Sequence, residues 1–530
     1  MVSSEDVHAT QIGAEVLARG GNAIDAAVAV GYALAVTHPV AGSLGGGGFM
    51  MVRLADGSVH AIDYREMAPA KATRALNEKQ LKGGAHGYLS APVPGVVAGL
   101  DFAHDKFGTV PLRDLLAPSI DLADKGHDFS LRQSQVLGWY WKRLHDATLK
   151  AIFGTGPKDK DAIGKGQLLK QPRLAETLRA IATNGDAGFY QGAVAKKIAD
   201  AMAKQGGLVS EKDLADYRAK EREPLHFVYR GLDVYTMPPP SMGGIAIVSI
   251  LMNLAEARGY QAPVGSPASL HAFIESARRS YADRRSVGAD LELADKAKVE
   301  PLLASLLDPG YYQKRQPPID PKRATPSSAV RPIEDAPAAE ESHETTHFSV
   351  VDDKGNAVAV TTTLSAAFGA WVVVPGTGVI LSNAMGAFSP SGVNGVQPGK
   401  RMASSMSPTL IVREGKIVAV VGSPGGDTIP NTVAQVLRNL VDYGMTVDEA
   451  VEAPRLHHQY QPDEVHIEKL RPPAPNTLAE LMSMGHKIVK GADQGAANCI
   501  VIDPEGGAAY GFADPRKGGL ALGPSGVATP

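Results

Sequence analysis

The stretch that most constrains this chain runs from Glu344 to Leu364 and reads E-TTHFSVV-DDKGN-AVAVTTTL. Two runs rich in β-branched residues, Thr345 to Val351 and Ala357 to Leu364, flank Asp353, Lys354, Gly355 and Asn356, which carry turn chemistry. The pattern predicts a β-hairpin. A turn centred on Lys354 sets Thr363 directly opposite Thr345, so that the two hydroxyls are neighbours. A slip of one residue would send Thr363 to the other face.

The segment before it, PPIDPKRATPSSAVRPIEDAPAAEESHE, has no apolar period and little hydrophobic content, and reads as an exposed, mobile strap. Such a strap running straight into a strand that opens Thr345-Thr346 suggests a chain that cuts itself between Glu344 and Thr345. A threonine hydroxyl is a weak nucleophile at neutral pH, but a free α-amino group on the same residue, with a pKa of about 7.7 to 8, can serve as its base. Two rival readings stand beside this one. The first is a plain hairpin after a linker. The second is the zinc-protease pattern H-E-x-x-H, spelled by His343, Glu344, Thr345, Thr346 and His347. That pattern works on a helix, where positions i and i+4 share a face, whereas here it straddles a polar segment and an alternating strand. No metal site and no cofactor are expected.

The chain's 530 residues suffice for one large or two medium domains, and a net charge of −3 gives no basic excess. Nucleic acid and anionic membrane are therefore not expected partners. The single cysteine, Cys499, rules out an intrachain disulfide framework. No secretory signal precedes the first helix pattern, and the apolar stretch from Ala26 to Val36 is too short to span a bilayer.

In chain order, residues 5 to 20 have helical spacing, and a second helix of small residues starts near Asn22. The glycines of GSLGGGGFMMVRL lack the lysine or helix start of a phosphate loop, so they are expected to let backbone approach backbone or substrate. FMMVRLADG and SVHAIDYRE read as another hairpin ending in Asp63, Tyr64, Arg65 and Glu66. Arg65 is expected in an ion-pair network or as a bidentate clamp on a carboxylate. From about Pro111 to Asp295 the text is mostly helical. PPPSMGG forms a rigid turn with a scaffold role, and Trp139 and Trp141 are expected to pack on a helix, or as an exposed pair to line a cleft mouth. WVVVPGTGVILSN reads as two strands, and SSMSPTLIVREGKIVAVVGSPGG continues the β-rich pattern. Helices and two further strands close the chain, and the adjacent His457 and His458 favour a structural role. The alternation suggests a sheet sandwich with helices outside.

GGNAIDAAVAV, GSLGGGGFM, DYREMAPAKAT, PVPGVVAGL, TTHFSVVDDKGNAVAVTTTL, SSMSPTLIV, GSPGG and DPR, taken in this order, resemble the γ-glutamyltranspeptidase family of autoprocessing N-terminal-nucleophile hydrolases nearly end to end. The resemblance implies an α+β fold of four αββα layers, cut into a large subunit, residues 1 to 344, and a small one, 345 to 530, that together form one unit. It implies a small-molecule substrate, with Thr345 as nucleophile and Thr363 as the second threonine that hydrogen-bonds it. Gly425 and Gly426 match the backbone donors of the oxyanion hole. Arg65, Ser404 and Ser405 match the groups that hold the substrate's α-carboxylate. Relatives are commonly exported, so exported and cytosolic locations both stay open.

The departures point to the substrate. Ser365 stands where the family usually has asparagine. Asn383, Ala384, Met385, Gly386, Ala387 and Phe388 replace N-Q-M-D-D-F, so the glutamine and aspartate that grip the α-ammonium are missing. The family activity implied is cleavage of γ-glutamyl amides such as glutathione through an acyl-enzyme passed to water or an amine. A site without the ammonium grip favours instead dicarboxylic monoamides that lack the amine, glutaryl-type or oxamate. A zinc peptidase and a non-catalytic binding homologue are the remote alternatives. SPSGVNGVQPGKRMA, where the family often carries a lid, is short, so an open cleft is expected.

Overall fold

The computed structural model describes residues 1–76, 86–336 and 344–524. The strands of its two large sheets are, in chain order, β1 (Val2–Ser4), β2 (Gly47–Arg53), β3 (Val59–Tyr64), β4 (Lys220–Arg222), β5 (Leu225–Tyr229), β6 (Leu232–Thr236), β7 (Thr346–Val351), β8 (Ala357–Thr363), β9 (Thr409–Arg413), β10 (Lys416–Val421), β11 (Cys499–Ile502), β12 (Ala509–Phe512) and β13 (Leu520–Leu522). The first sheet has the order β13-β1-β7-β8-β2-β3-β4, the second β12-β11-β10-β9-β6-β5.

The central hairpin forms as its period predicts. Thr346 pairs with Thr362 and Val350 with Val358, the register that continues to Thr345 opposite Thr363. The pleat then sorts the side chains. Phe348, Val350, Val358 and Val360 face a core shared with the helices α1 (Val7–Ala18) and α2 (Ala23–Thr37). Asn22 caps α2 in a reciprocal box with Asp25. The odd-numbered residues Val351, Ala357 and Ala359 face the second sheet, in a core with Leu410, Val420 and the helices that cover that sheet's far side. Four layers result, helix, sheet, sheet and helix, and Thr345 and Thr363 share parity with the residues that look into the gap between the sheets.

The glycine run does what backbone contact requires. A Cβ on Gly46 would sit 2.2 Å from the Thr363 carbonyl oxygen, so β2 can lie against the end of β8 only without one. The hairpin of β2 and β3 is as expected. Among the described residues no helix is long and apolar enough to cross a membrane.

Three expectations are corrected. Residues 317–336 of the strap are docked, because buried Arg278 and Arg279 use its polar groups: Arg279 donates to the Pro317 carbonyl and to Thr325, and Arg278 to Ser327. Low apolar content concealed an anchorage made of guanidinium bonds; residues 337–343 of the strap, His343 among them, lie outside the described residues. WVVVPGTGVILSN forms no strand, only isolated bridges between Val373 and Ile380 and between Leu381 and Gly45, since Trp371, Gly376 and Gly378 take positive φ and coil the run. Trp141 is buried, but Trp139 is 75% exposed.

Candidate active site

The hairpin end brings the two threonines together. The Thr345 hydroxyl donates to Thr363 Oγ1 at 3.1 Å, and the Thr363 hydroxyl donates onward to the Glu344 carbonyl oxygen at 2.8 Å. The backbone N–H of Ser365 donates to Thr363 Oγ1 at 2.8 Å, which fixes the direction of this relay. Ser365 holds that position at φ +72°, a left-handed conformation that suits asparagine or glycine better than serine.

His347, the second histidine of the H-E-x-x-H pattern, lies on β7 rather than on a helix. It is wholly buried between Thr361 (2.9 Å) and Ser349 (3.1 Å), and burial pulls its pKa down to about 3. Extended backbone spaces residues four apart by roughly 13 Å, too far to share one zinc, and His343 lies outside the described residues. Elsewhere, His271, Glu275 and His486 form a buried group with ligand atoms near one another. Both Glu275 oxygens there are engaged by Arg278 and Arg279, which leaves a poor cation site.

Arg65, Ser404, Ser365, Ala387 and Gly426 line one small cavity with Thr345 and Thr363. Its volume is about 20 Å³, room for about one water, and Thr345 is 3% exposed. In the unbroken chain this cavity is small and partly open. Gly425 lines an adjoining, larger cavity of about 420 Å³ together with Glu344.

Arg65 lies in the expected ion-pair network and lines the cavity. Its Nη1 bonds Glu66 at 2.5 Å, Glu66 in turn accepts from Ser382, and the buried Arg65 Nε has no partner among the described residues. The neighbouring Asp63 is taken up by Arg222 and Arg401, so it does not neutralise Arg65. Ser404 is fixed through its backbone: its N–H donates to the Pro240 carbonyl, and its carbonyl accepts from the Met242 N–H at 2.7 Å. PPPSMGG is therefore more than a turn into the helix α3 (Met242–Glu256), because it lashes the serine pair in place. Ser405 does not reach the cavity; its hydroxyl accepts from Arg284 at 2.6 Å.

That arginine is a residue sequence reasoning missed. Arg284 also pairs with Asp427, next to Gly426, so one guanidinium ties the serine pair to the glycine loop. Burial pushes the Asp427 carboxyl up, but Arg284 and Arg285 together hold it below its usual value. Gly425 has φ +130° and Gly426 φ +56°, and a short turn from Gly426 leads into the helix α4 (Ile429–Asp442). The positive end of that helix backs the loop, which suits N–H groups aimed at a developing oxyanion. An adjacent Arg and Asp signal of this kind could be found in sequence only by knowing the fold. His457 is buried against Asn431 and Gln459, in keeping with a structural role.

The model of the family described as Gamma-glutamyltranspeptidase matches residues 9–523. The chain belongs to the γ-glutamyltranspeptidase family. It is 44% identical over 536 residues to the glutathione hydrolase proenzyme of Escherichia coli K12, a match covering 98% of this chain and 90% of that one. It is 35% identical to the Acylase ACY 1 proenzyme of Pseudomonas sp. SE83, covering 98% and 94%. Among solved structures, the cephalosporin acylase of Bacillus halodurans superposes with a TM-score of 0.86 at 26% identity, covering 98% and 94%. This γ-glutamyltranspeptidase-family chain is accordingly an enzyme of the hydrolase and transferase kind with an N-terminal-nucleophile fold, made as a precursor.

Proposed function

We propose that the chain cuts its own Glu344–Thr345 bond, giving pieces 1–344 and 345–530, and that Thr345 then takes the acyl group of a γ-glutamyl amide such as glutathione and passes it to water or an amine. The observation that carries this reading is the relay from Thr345 through Thr363 to the Glu344 carbonyl. The Thr363 proton polarises the carbonyl that must be attacked, and Thr363 Oγ1 receives the proton of the attacking hydroxyl. After cleavage the Thr345 amine becomes the base, with a pKa of about 7.7 to 8. N–H groups of Gly425 and Gly426 would stabilise the oxyanion, and Arg65, through its unpartnered Nε, would hold the substrate's carboxylate beside Ser404.

Gel electrophoresis with N-terminal sequencing tests it. Two bands, the smaller starting at Thr345, are expected; a single band that persists in active material overturns it.

One observation favours a second substrate class. Ala387 meets the cavity where an acid would grip an ammonium, and Ala384, Met385, Phe388 and Met402 make an apolar cluster behind it. A dicarboxylic monoamide without the α-amine, a glutaryl amide or oxamate, fits such a wall. Steady-state rates on γ-glutamyl and glutaryl anilides separate the two, and a strong γ-glutamyl preference removes the second.

A further inference from the structure

The self-cleaving bond is held from an unexpected direction, by the side chain of the residue before it. Glu344 reaches into the cavity of about 420 Å³ that adjoins Gly425. One carboxylate oxygen lies 3.7 Å from Arg132 Nη2, at the start of the helix Leu131–Tyr140. The other lies 3.5 Å from Lys517 Nζ, in the segment that leads into β13. The two cations come from parts of the chain nearly four hundred residues apart, and each takes one oxygen.

The surrounding groups leave that carboxylate as their partner. Glu5 and His38 sit behind the cations, 3.6 Å from each other. Burial pushes the Glu5 carboxyl up to about 7, so near neutral pH it carries only part of a charge, and pushes the His38 imidazole down to about 4, so it stays neutral and adds no third cation beside Glu344. Burial also raises the Glu344 carboxyl, but Lys517 and Arg132 together outweigh it and hold it below its usual value. Asp514, the remaining acid nearby, is bonded to Arg455 and Arg516.

We propose that Arg132 and Lys517 are positioning residues for self-cleavage: by gripping the Glu344 side chain they hold its carbonyl carbon in line for Thr345 Oγ1. The inference rests on cleavage occurring at this bond. The step balances with one water. The Thr345 oxygen bonds the Glu344 carbonyl carbon, the C–N bond breaks, and the hydroxyl proton ends on the departing amine. Water then hydrolyses the ester to give the Glu344 carboxylate and restore the Thr345 hydroxyl. With the side chain gripped and the carbonyl oxygen bonded to Thr363, Glu344 is fixed at two points on either side of the reacting carbon. Attack needs that restriction, because misplacement by an ångström costs on the order of a hundredfold in rate.

The test follows conversion of the full-length chain into two pieces after cell-free synthesis. E344Q and the pair R132Q/K517Q are each expected to slow conversion by roughly tenfold. The triple variant should be no slower than either, since each removes the same contact. R132K/K517R, which keeps both charges, should recover to within about threefold of wild type. About 1 M salt should slow wild type and leave the triple variant unaffected. A structural role alone would give neither the charge rescue nor the salt response. Conversion of E344Q at the wild-type rate, or a triple variant slowed by the product of the two effects, overturns the proposal. Should R132Q/K517Q fail to fold, E344Q decides alone, because it changes a single neutral-for-charged isostere. Wild type that matures at Thr345 beside indifferent variants sinks the grip only; wild type that stays whole sinks the cleavage reading and the grip with it.

Discussion

The two walls of the acyl pocket differ sharply. On one, Arg65 keeps an unpartnered Nε, Ser404 is tied to Pro240 and Met242, and Arg284 binds Ser405 to Asp427 of the glycine loop. Apart from that Nε, these groups are held by neighbours. On the opposite wall the Asn383–Phe388 turn offers Ala387, with Ala384, Met385 and Phe388 packed into an apolar cluster. On the reading proposed above, the contrast means that the fixed charge would meet a substrate carboxylate and that methyl groups would stand where a second charge would sit. A substrate carrying an ammonium there would give up water without a replacement partner.

The harshest way to break the comparison is to remove the nucleophile that both walls serve. Thr345→Ala should leave the chain uncut and lower turnover by about 10⁵-fold or more, the scale seen when a nucleophile is lost. Electrophoresis and a rate assay on the same preparation would check it, and undiminished turnover would sink the mechanism. Next comes the charged wall. Arg65→Gln should cost about 3 kcal/mol in kcat/KM, over a hundredfold, on anilides that carry the carboxylate, and far less on an unsubstituted butyryl anilide. Equal losses on both would mean that Arg65 supports the fold through Glu66 instead of gripping substrate.

Rebuilding the bare wall sharpens the comparison. Ala387→Asp should move preference toward γ-glutamyl over glutaryl anilide by about 1.5 to 3 kcal/mol, measured as the ratio of kcat/KM values. No shift would show that the wall plays no part in selection. The smallest effect is expected at Ser365, whose left-handed backbone carries strain. Ser365→Asn should raise unfolding stability by about 0.5 to 1 kcal/mol while the N–H bond to Thr363 persists. A lower thermal midpoint would show the serine side chain to be more important than its φ.

Much of this was legible from local pattern. The period of two and the turn at Lys354 set the hairpin register, and with it the threonine pair, because strand parity leaves no intermediate answer. The glycine run and Arg65 were also readable, each from a constraint that acts within a few residues. Arg284 was not, since its partners Ser405 and Asp427 lie 121 and 143 residues away and no local rule joins them. The strap misled for a related reason: its order comes from Arg278 and Arg279 on a distant helix, so its own composition carries no trace of it. PPPSMGG looked like scaffold because its service to Ser404 runs through backbone atoms.

The strand order has a last consequence. β7 and β8, which follow the proposed cut, lie between β1 and β2, which precede it. Severing the link would therefore free neither fragment, for each holds the other along a full ladder of amides. What changes is the molecularity of unfolding: an intact precursor melts as one body, whereas the nicked form must find a second body to refold, so its melting point should drop on dilution.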